Sequence, residues 1–429
     1  MRSASLTRYS TRLRHRRFKI EAASVGKAGP HSEARGLLLG HTAPRDEELL
    51  SSWVVRLAAQ NALKLHTFSQ MMWPAVPIWN RDIDNSATDD VLATLALRTG
   101  VAPDRVRETT LQSYEGRLFE KHNPRGSTVW LLPLGIYHRT RLRSGTQFCP
   151  DCLAYETPYY RKSWRLALSV VCLVHNRPLV DRCACDAPIN FHRGDLGDVG
   201  AFQAASSMTV CYRCGFDLRK CGGSSFTLPL LCAALETQSR SNEALAKGYI
   251  RLADGSTVHS NLFFAGFRQL LQILSHGRLA ASLRDSTAKW RRLPAYAPSF
   301  NGRISAIEKL PVHDRTVLIA MAGGWLNDWP QTFVKDCKTA GLTATDICRN
   351  LTRVPYWLAR VVAEHFGQGT YSPSLPEIGA AINYLRTQNI VPTKSAVSQI
   401  LGRTDVFRKR RLHHLLESEV GLFGDDGSN

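Results

Sequence analysis

The sequence predicts a mainly α-helical protein whose two helical flanks are separated by a metal-binding middle segment. Apolar residues recur at helical spacing on both flanks. Eight of the eleven cysteines fall between residues 149 and 221, and the stretches between them are too polar to form a core without a metal ion. The expected order is a basic disordered tail at 1–36, a helical domain with helix-turn-helix-like character at 37–145, a double zinc-binding module at 146–222, and a helical domain at 223–429.

The chain carries 55 basic and 36 acidic residues, a formal net charge of +19, which favours a polyanionic partner such as DNA. In the first 35 residues, nine Lys or Arg face only Glu21 and Glu33. This composition predicts a disordered tail or an upstream start codon, with a nucleic-acid-binding arm and an organelle transit peptide as alternatives. No apolar run approaches the roughly 18 residues of a membrane span, so we expect no membrane partner and a cytoplasmic, nucleoid-associated protein.

Residues 46–60 have the pattern of an amphipathic helix. Apolar positions fall at i, i+3, i+4, i+7 and i+8, after an acidic run where the helix dipole favours anions. A second short helix is expected between the cap Thr67 and Pro74, and a third ends at Gly100. Short helices joined by tight turns are typical of a helix-turn-helix core, although most helical hairpins bind no nucleic acid. The residues of the first pattern are Leu50, Trp53, Val54, Leu57 and Ala58, after Asp46, Glu47 and Glu48.

Two pairs of metal-binding residues predict a first zinc site in the middle segment. The pattern is C-x2-C, nineteen residues, then C-x2-H, formed by Cys149, Cys152, Cys172 and His175. Each pair places two donors on one tight turn, and three thiolates with one imidazole complete a tetrahedral site that leaves no position for water. Such a site is structural rather than catalytic.

A second quartet follows, in which the pairs are C-x-C and C-x2-C. Gly215, directly after the last thiol, suits a turn that needs a positive φ. The close C-x-C spacing leaves His192 and Cys221 open as substitute ligands. The ligands predicted for this second zinc site are Cys183, Cys185, Cys211 and Cys214, and the remaining cysteines, Cys232, Cys337 and Cys348, are expected to be small buried hydrophobic side chains.

The C-terminal flank contains two predicted helical hairpins. In "WPQTFVKDCKTAGLTATDICRNL" one helix ends at Gly341 and the next is capped by Thr343. At 377–411, a helix with four apolar residues on one face is followed by the turn "NIVP" and by a second helix that Thr393 caps. The second hairpin therefore has the layout of a helix-turn-helix.

The last of these helices has the chemistry of a DNA recognition helix. If its apolar residues pack inward, short polar and amide side chains lie on the outer face, and arginines that suit phosphates follow. A solvated helix face without a ligand is the alternative. The predicted nucleic-acid contacts are Lys394, Ser395, Ser398, Gln399, Arg403 and Arg408.

The order of these parts resembles the TniQ family, which includes TnsD. The similarity lies in "DEELLSSWVVRLAAQNAL", in "FCPDCLAYETPYYRKSWRLALSVVCLVHNRPLVDRC" and in "CYRCGFDL", and it covers residues 40–225. In addition, "AMAGGWLNDWP" at 320–330 is similar to a C-terminal signature of longer members. By this resemblance, the zinc ligands of the family fall on the eight residues already named.

The resemblance implies a target-selection protein of bacterial transposons. Members of the family bind a DNA site, or a CRISPR RNA-guided complex already on DNA, and recruit an AAA+ ATPase that passes the target to the transposase. The expected partners are therefore DNA and an AAA+ ATPase of the transposon. A CRISPR RNA-guided complex is a further partner in one of the two targeting routes. A homodimer is also an open alternative. The expected cofactor is Zn2+ at two structural sites, and no catalytic residue is expected.

Two other classes of function compete with this hypothesis. A zinc hydrolase needs an open coordination position and a general base, and the H-E-x-x-H motif is absent from the sequence. No G-x-x-x-x-G-K-[ST] motif occurs, so any dependence on ATP must come from a partner. A zinc-containing helix-turn-helix regulator would explain the charge, the zinc ligands and the hairpins, but not the TniQ-like middle.

Overall fold

The computed structural model describes residues 36–74, 76–137, 140–193, 208–291, 306–349, 354–367, 373 and 375–401. The tail predicted at 1–36 lies, apart from its last residue, outside the described residues. Within them the protein is mainly helical, as predicted, with three short antiparallel hairpins. The α-helices are α1 (Leu50–Gln60), α2 (Leu65–Met72), α3 (Ile83–Ser86), α4 (Asp89–Thr99), α5 (Pro103–Arg107), α6 (Pro150–Leu153), α7 (Leu228–Lys247), α8 (Ser260–Ser275), α9 (Ala280–Arg291), α10 (Val312–Trp325), α11 (Gln331–Thr339), α12 (Ala344–Cys348), α13 (Tyr356–Phe366), α14 (Leu375–Thr387) and α15 (Lys394–Ile400). The strands are β1 (Ile136–Tyr137), β2 (Thr140–Arg141), β3 (Val171–Cys172), β4 (Arg177–Pro178), β5 (Tyr249–Arg251) and β6 (Thr257–His259), paired in that order.

The first helix begins four residues later than predicted. α1 starts at Leu50, because Glu47 has a φ of +57°, which a helix does not allow, and residues 47–49 pair with residues 160–162. The predicted acidic first turn is therefore wrong. Glu48 instead pairs with Arg56 at 2.7 Å inside the protein, and both side chains are buried.

The next two predicted helices are present, with one correction. α2 begins at Leu65 after Lys64, so Thr67 lies inside the helix and does not cap it. Phe68 and Met72 of α2 are buried in the core. α4 ends at Gly100, whose φ of +69° is the left-handed conformation that favours glycine at a helix end, as predicted.

The core of the C-terminal half is built on the packing of α7 against α10, the largest helix–helix contact among the described residues. A Cβ atom at Gly323 of α10 would lie 1.8 Å from Thr237 Oγ1 of α7, so the helices approach closely only because this residue is glycine. α8 packs beside this pair and contributes three buried aromatic side chains: Phe263, Phe264 and Phe267.

The two helix pairs predicted in the C-terminal flank are present. α11 ends before Gly341, which has a φ of +75°, and α12 begins after Thr343, whose hydroxyl forms a reciprocal capping box with Asp346. α14 and α15 pack against each other, and Thr393 Oγ1 accepts a hydrogen bond from Ala396 N at 3.1 Å. The sequence signals for these helix starts are therefore confirmed.

The N-terminal and C-terminal halves are in direct contact around Trp130. This side chain is fully buried, stacks on Phe267 with ring centroids 6.1 Å apart, and donates from Nε1 to Phe264 O at 3.3 Å. Its backbone amide donates to Glu308 Oε1 at 2.8 Å. The boundaries expected at 145 and 222 stay predictions, because this packing does not itself define where one domain ends.

None of the helices within the described ranges combines the length and the apolar composition that a membrane crossing needs.

Candidate metal centres

The first predicted quartet presents four ligand atoms to one point. The ligand atoms of Cys149, Cys152, Cys172 and His175 all lie within 4.8 Å of one another. His175 Nδ1 is 3.3 Å from Cys152 Sγ and 3.5 Å from the other two sulfur atoms, and the Sγ atoms of Cys152 and Cys172 are 3.6 Å apart. In a tetrahedral site with metal–sulfur bonds of about 2.3 Å and metal–nitrogen bonds of about 2.0 Å, ligand atoms lie about 3.5–3.8 Å apart. The quartet therefore fits one tetrahedral ion.

Contacts outside the ligands hold the two halves of this first quartet together. Phe148, directly before Cys149, pairs with Val180 just after the β3–β4 hairpin, and both of their N–O distances are 2.9 Å. Arg177 in β4 donates to both carboxylate oxygens of Asp151 in α6 at 3.0 Å. These contacts hold the turn that carries Cys149 and Cys152 beside the turn that carries Cys172 and His175.

The imidazole of His175 is oriented by a neighbour on its far side. Its Nδ1 atom faces the three sulfur atoms, and Nε2 lies 3.2 Å from the hydroxyl oxygen of Tyr155. With a metal ion bound at Nδ1, Nε2 would carry the proton and would donate to Tyr155. A hydrogen bond of this kind fixes the tautomer that a metal-binding histidine needs.

The second predicted quartet also forms one group. The ligand atoms of Cys183, Cys185, Cys211 and Cys214 lie within 4.8 Å of one another. Sγ–Sγ distances are 3.6 Å from Cys183 to Cys214 and 3.8 Å from Cys185 to Cys211. This quartet is more open than the first, since Cys214 is exposed and Cys185 is half-buried, whereas the cysteines of the first quartet are all buried.

Tight turns aim the thiols of the second quartet. Asp186 has a φ of +63° directly after the C-x-C pair, and Gly215 has a φ of +71° directly after the C-x2-C pair, as the sequence predicted for Gly215. The amide of Gly215 donates to Cys211 O and that of Asp186 to Cys183 O, both at 2.9 Å. A backbone hydrogen bond therefore closes the turn that carries each pair of thiols.

The two substitute ligands do not belong to the second quartet. Arg141 donates to His192 Nε2 at 2.8 Å, and the ring of His192 stacks on Trp79 with centroids 4.9 Å apart. Cys221 is buried, and this burial raises the pKa of its thiol. Of the three cysteines expected to be buried hydrophobic side chains, Cys232 is exposed, so that prediction was wrong for this residue.

Three buried polar side chains that the sequence analysis missed attach the first quartet to the rest of the core. Gln238 of α7 accepts from Val170 N at 2.7 Å and donates to Val171 O at 2.7 Å, so it clamps the start of β3. Arg315 of α10 donates to Gln147 Oε1 at 2.9 Å. Gln147 lies two residues before the first ligand and in turn donates to backbone oxygens of residues 164, 166 and 169.

The predicted recognition helix is only partly as expected. α15 begins after its cap, and its exposed side chains include Lys394, Ser395 and Gln399. Ser398 is buried, which corrects its predicted place on the outer face, because α15 packs against β6 as well as α14 and its buried face is wider than a two-helix hairpin would give. Arg403 and Arg408 lie outside the described residues.

Part of the chain matches a family model. A family model described as TniQ matches residues 39–179, a range that contains α1 to α6 and the whole first quartet. No curated protein matches the chain.

Proposed function

From the TniQ domain that this chain carries at residues 39–179, we infer the role of an adaptor in the selection of transposition targets. A TniQ domain implies a transposition-associated target-selection protein. We propose, more specifically, that the protein binds target DNA, or a targeting complex already bound to DNA, and recruits an AAA+ ATPase of the transposition machinery. The match to the family model is the observation that carries this proposal.

The proposed mechanism is coupling of binding events rather than catalysis. An adaptor that holds the target and the ATPase at once raises the local concentration of the ATPase beside that target. Both metal quartets use all four positions of a tetrahedron, which leaves none for a substrate or a reactive water. The protein is therefore proposed to have no catalytic residue, and ATP hydrolysis belongs to the partner.

Zn2+ is the proposed occupant of both quartets. Four thiolates, or three thiolates and one imidazole, are the donor sets of structural zinc sites, and soft sulfur ligands disfavour Mg2+ and Ca2+. Zinc would supply the folding free energy that the polar middle segment lacks. Metal analysis of protein purified without chelator should give two zinc ions per chain; a different metal, or less than one ion per chain, would contradict this assignment.

The surface proposed to contact DNA is the exposed side of α15. Lys394 is suited to a phosphate and Gln399 to an adenine edge. Replacing Lys394 and Gln399 with Ala should weaken binding to target DNA without changing the melting temperature. The matched control is Gln331→Ala with Lys338→Ala on α11, where both side chains are also exposed. Equal affinity of the two double variants would return α15 to the solvated-face alternative.

The experiment that tests the adaptor role is affinity purification from native cells with the genomic neighbours present. Proteins and nucleic acids that co-purify are identified together. Recovery of an AAA+ ATPase supports the adaptor, and Cas subunits with a short RNA beside it would make the targeting RNA-guided. DNA without an ATPase at any salt concentration would overturn the adaptor in favour of a DNA-binding regulator.

A further inference from the structure

A polar cleft lies between the N-terminal helices and the end of α7, away from both metal quartets. Its volume is about 640 Å³. Residues 45–48, the segment at 161–163 and the last turns of α7 contribute to its walls. Five cationic side chains and three carboxylates line it: Arg45, Arg105, Arg117, Arg161 and Lys162, with Glu47, Glu48 and Glu108. We call it the Arg45–Arg161 cleft.

The carboxylates of the cleft already have partners. Glu48 is held by the buried pair with Arg56 at 2.7 Å. Glu108 pairs with Arg105 at 3.1 Å. Glu47 accepts from the hydroxyl of Tyr114 at 3.3 Å. Glu47 also lies 3.8 Å from the ammonium of Lys162. None of the three carboxylates forms an ion pair with the side chains of Arg45 or Arg161 in the described part of the chain.

Two of those cations share one aromatic ring and have no carboxylate partner in the described part of the chain. The guanidinium carbon of Arg161 lies 5.4 Å from the ring centroid of Tyr159, and that of Arg45 lies 6.0 Å from the same centroid. The ring positions both guanidinium groups without neutralising their charge. Both residues line the same cleft, where an anion can interact with each positive charge.

A third cation lies deeper in the cleft. Lys162 is only 7% exposed; its ammonium donates to Ser113 Oγ at 3.1 Å and lies 3.8 Å from a carboxylate oxygen of Glu47. Burial lowers the pKa of this ammonium, because the charged form is deprived of water. An ammonium has three donors, so this site has capacity for a further acceptor.

Backbone contacts hold the segments that carry these three cations side by side. Glu48 and Arg161 form an antiparallel bridge, and Lys162 N donates to Glu47 O at 2.7 Å. Glu47 adopts a φ of +57° at this point. A non-glycine residue in that region is strained, and such strain occurs preferentially at binding sites.

We propose that the Arg45–Arg161 cleft binds a phosphate group. Planar guanidinium groups match phosphate oxygens in pairs, and an ammonium adds a point charge, so three cations that line one cleft suit a phosphate group. The phosphate belongs either to a free nucleotide or to a nucleic-acid backbone. In the second case the inference rests on the proposed DNA-binding function and adds a contact surface separate from α15.

The test compares two double variants. The cleft variant carries Arg45→Gln and Arg161→Gln in one chain, and the control variant carries Arg251→Gln and Arg278→Gln. The control pair removes the same charge from exposed positions outside the cleft. Full-length proteins are titrated with ATP by calorimetry, and with a 20-base-pair duplex of arbitrary sequence across a salt series. Melting curves verify that both variants remain folded.

Each lost phosphate contact should lower the slope of log affinity against log salt by about 0.9, so two contacts lower it by about 1.8. At low salt the control variant should bind the duplex more tightly than the cleft variant. The ratio of the two affinities should then fall about twelvefold between 0.05 and 0.2 M salt. That result identifies a backbone phosphate, whereas ATP binding that only the cleft variant loses identifies a free nucleotide.

If both variants bind both probes as the wild type does, the proposed phosphate site is wrong, and the adaptor role is unaffected. Equal losses in both variants would also overturn the phosphate site, because they report net charge alone. A wild-type protein that binds neither probe would overturn it as well. Failure of the adaptor role is read separately, from the absence of an ATPase in the affinity purification.

Discussion

Replacement of Gly323 by alanine should destabilise the protein, although alanine is the better helix former. Gly323 lies where α10 crosses α7, and an added Cβ would meet Thr237 at three atoms, the nearest 1.8 Å and the farthest 2.6 Å away. Contacts below about 3.0 Å do not occur between such atoms, so the two helices must separate by about an ångström or more.

Two opposing effects set the magnitude. Alanine gains about 1 kcal/mol over glycine in a helix interior. Overpacking a tight core contact costs about 1–3 kcal/mol, and the close approach at Gly323 is at the upper end of that range. We therefore expect a net loss of about 1–2 kcal/mol in the free energy of unfolding.

The chain contains a matched control for this experiment. Gly379 lies inside α14, and a Cβ there would have no neighbour within 4 Å. Gly379→Ala should therefore show the helix-propensity gain alone, so the two variants should differ by about 2–3 kcal/mol. Melting temperatures measured in the same buffer test the order, with Gly323→Ala below the wild type and Gly379→Ala at or above it.

A companion substitution tests the cause. Thr237→Ala removes two of the three atoms that the new Cβ would meet and leaves the third at 2.6 Å, so it should relieve Gly323→Ala in part. The double variant should accordingly lose less stability than the sum of the single variants. A Gly323→Ala protein as stable as Gly379→Ala would refute the close α7–α10 approach on which this reasoning rests.

Further predictions concern the metal centres and the pH dependence of stability. Cys149→Ser should lower the zinc content from two ions to about one per chain and make residues 146–222 sensitive to limited proteolysis, whereas the exposed Cys232→Ser should change neither; full zinc content in Cys149→Ser would contradict the first site. A strong chelator should lower the melting temperature of the wild type, and added zinc should restore it. Burial lowers the pKa of His259 to about 4, so the stability that its neutral form contributes above the unfolded pKa of about 6.5 is lost as the pH falls toward 4. That loss amounts to about 3 kcal/mol, and His259→Gln should flatten the decline in melting temperature between pH 7 and pH 4.5; an unchanged decline would assign it to other groups.

Local signals made the metal quartets readable from the sequence, because each pair of donors sits on one tight turn and the turn residues are neighbours in the chain. Gly100, Gly341 and the cap Thr343 were predicted for the same reason. The start of α1 was not, since the carboxylate of Glu48 is used by Arg56, eight residues away, and the preceding backbone pairs with residues 160–162. Long-range partners of this kind leave no local pattern.

The same limit applies to the side chains that support the first quartet. Gln238 and Arg315 contact residues 67 to 168 positions away, and nothing in their own helices indicates those partners. Ser398 was placed on the wrong side of α15 because only α14 was considered as its neighbour, while β6 covers a second side. The presence of these helices was therefore predictable, whereas the distant elements that pack against them were not.

The clamp between Gln238 and β3 has a consequence for the order of events during synthesis. All eight predicted ligands, up to residue 214, leave the ribosome before Gln238 does. The β3–β4 hairpin can therefore be folded or unfolded when α7 becomes available to pack against it. If the first quartet needs a metal ion to fold, a chain without that ion would offer Gln238 a misplaced strand, and the amide would be buried without partners or left in water. If the first quartet folds only with its ion, docking of the C-terminal half depends on metal loading in the middle segment.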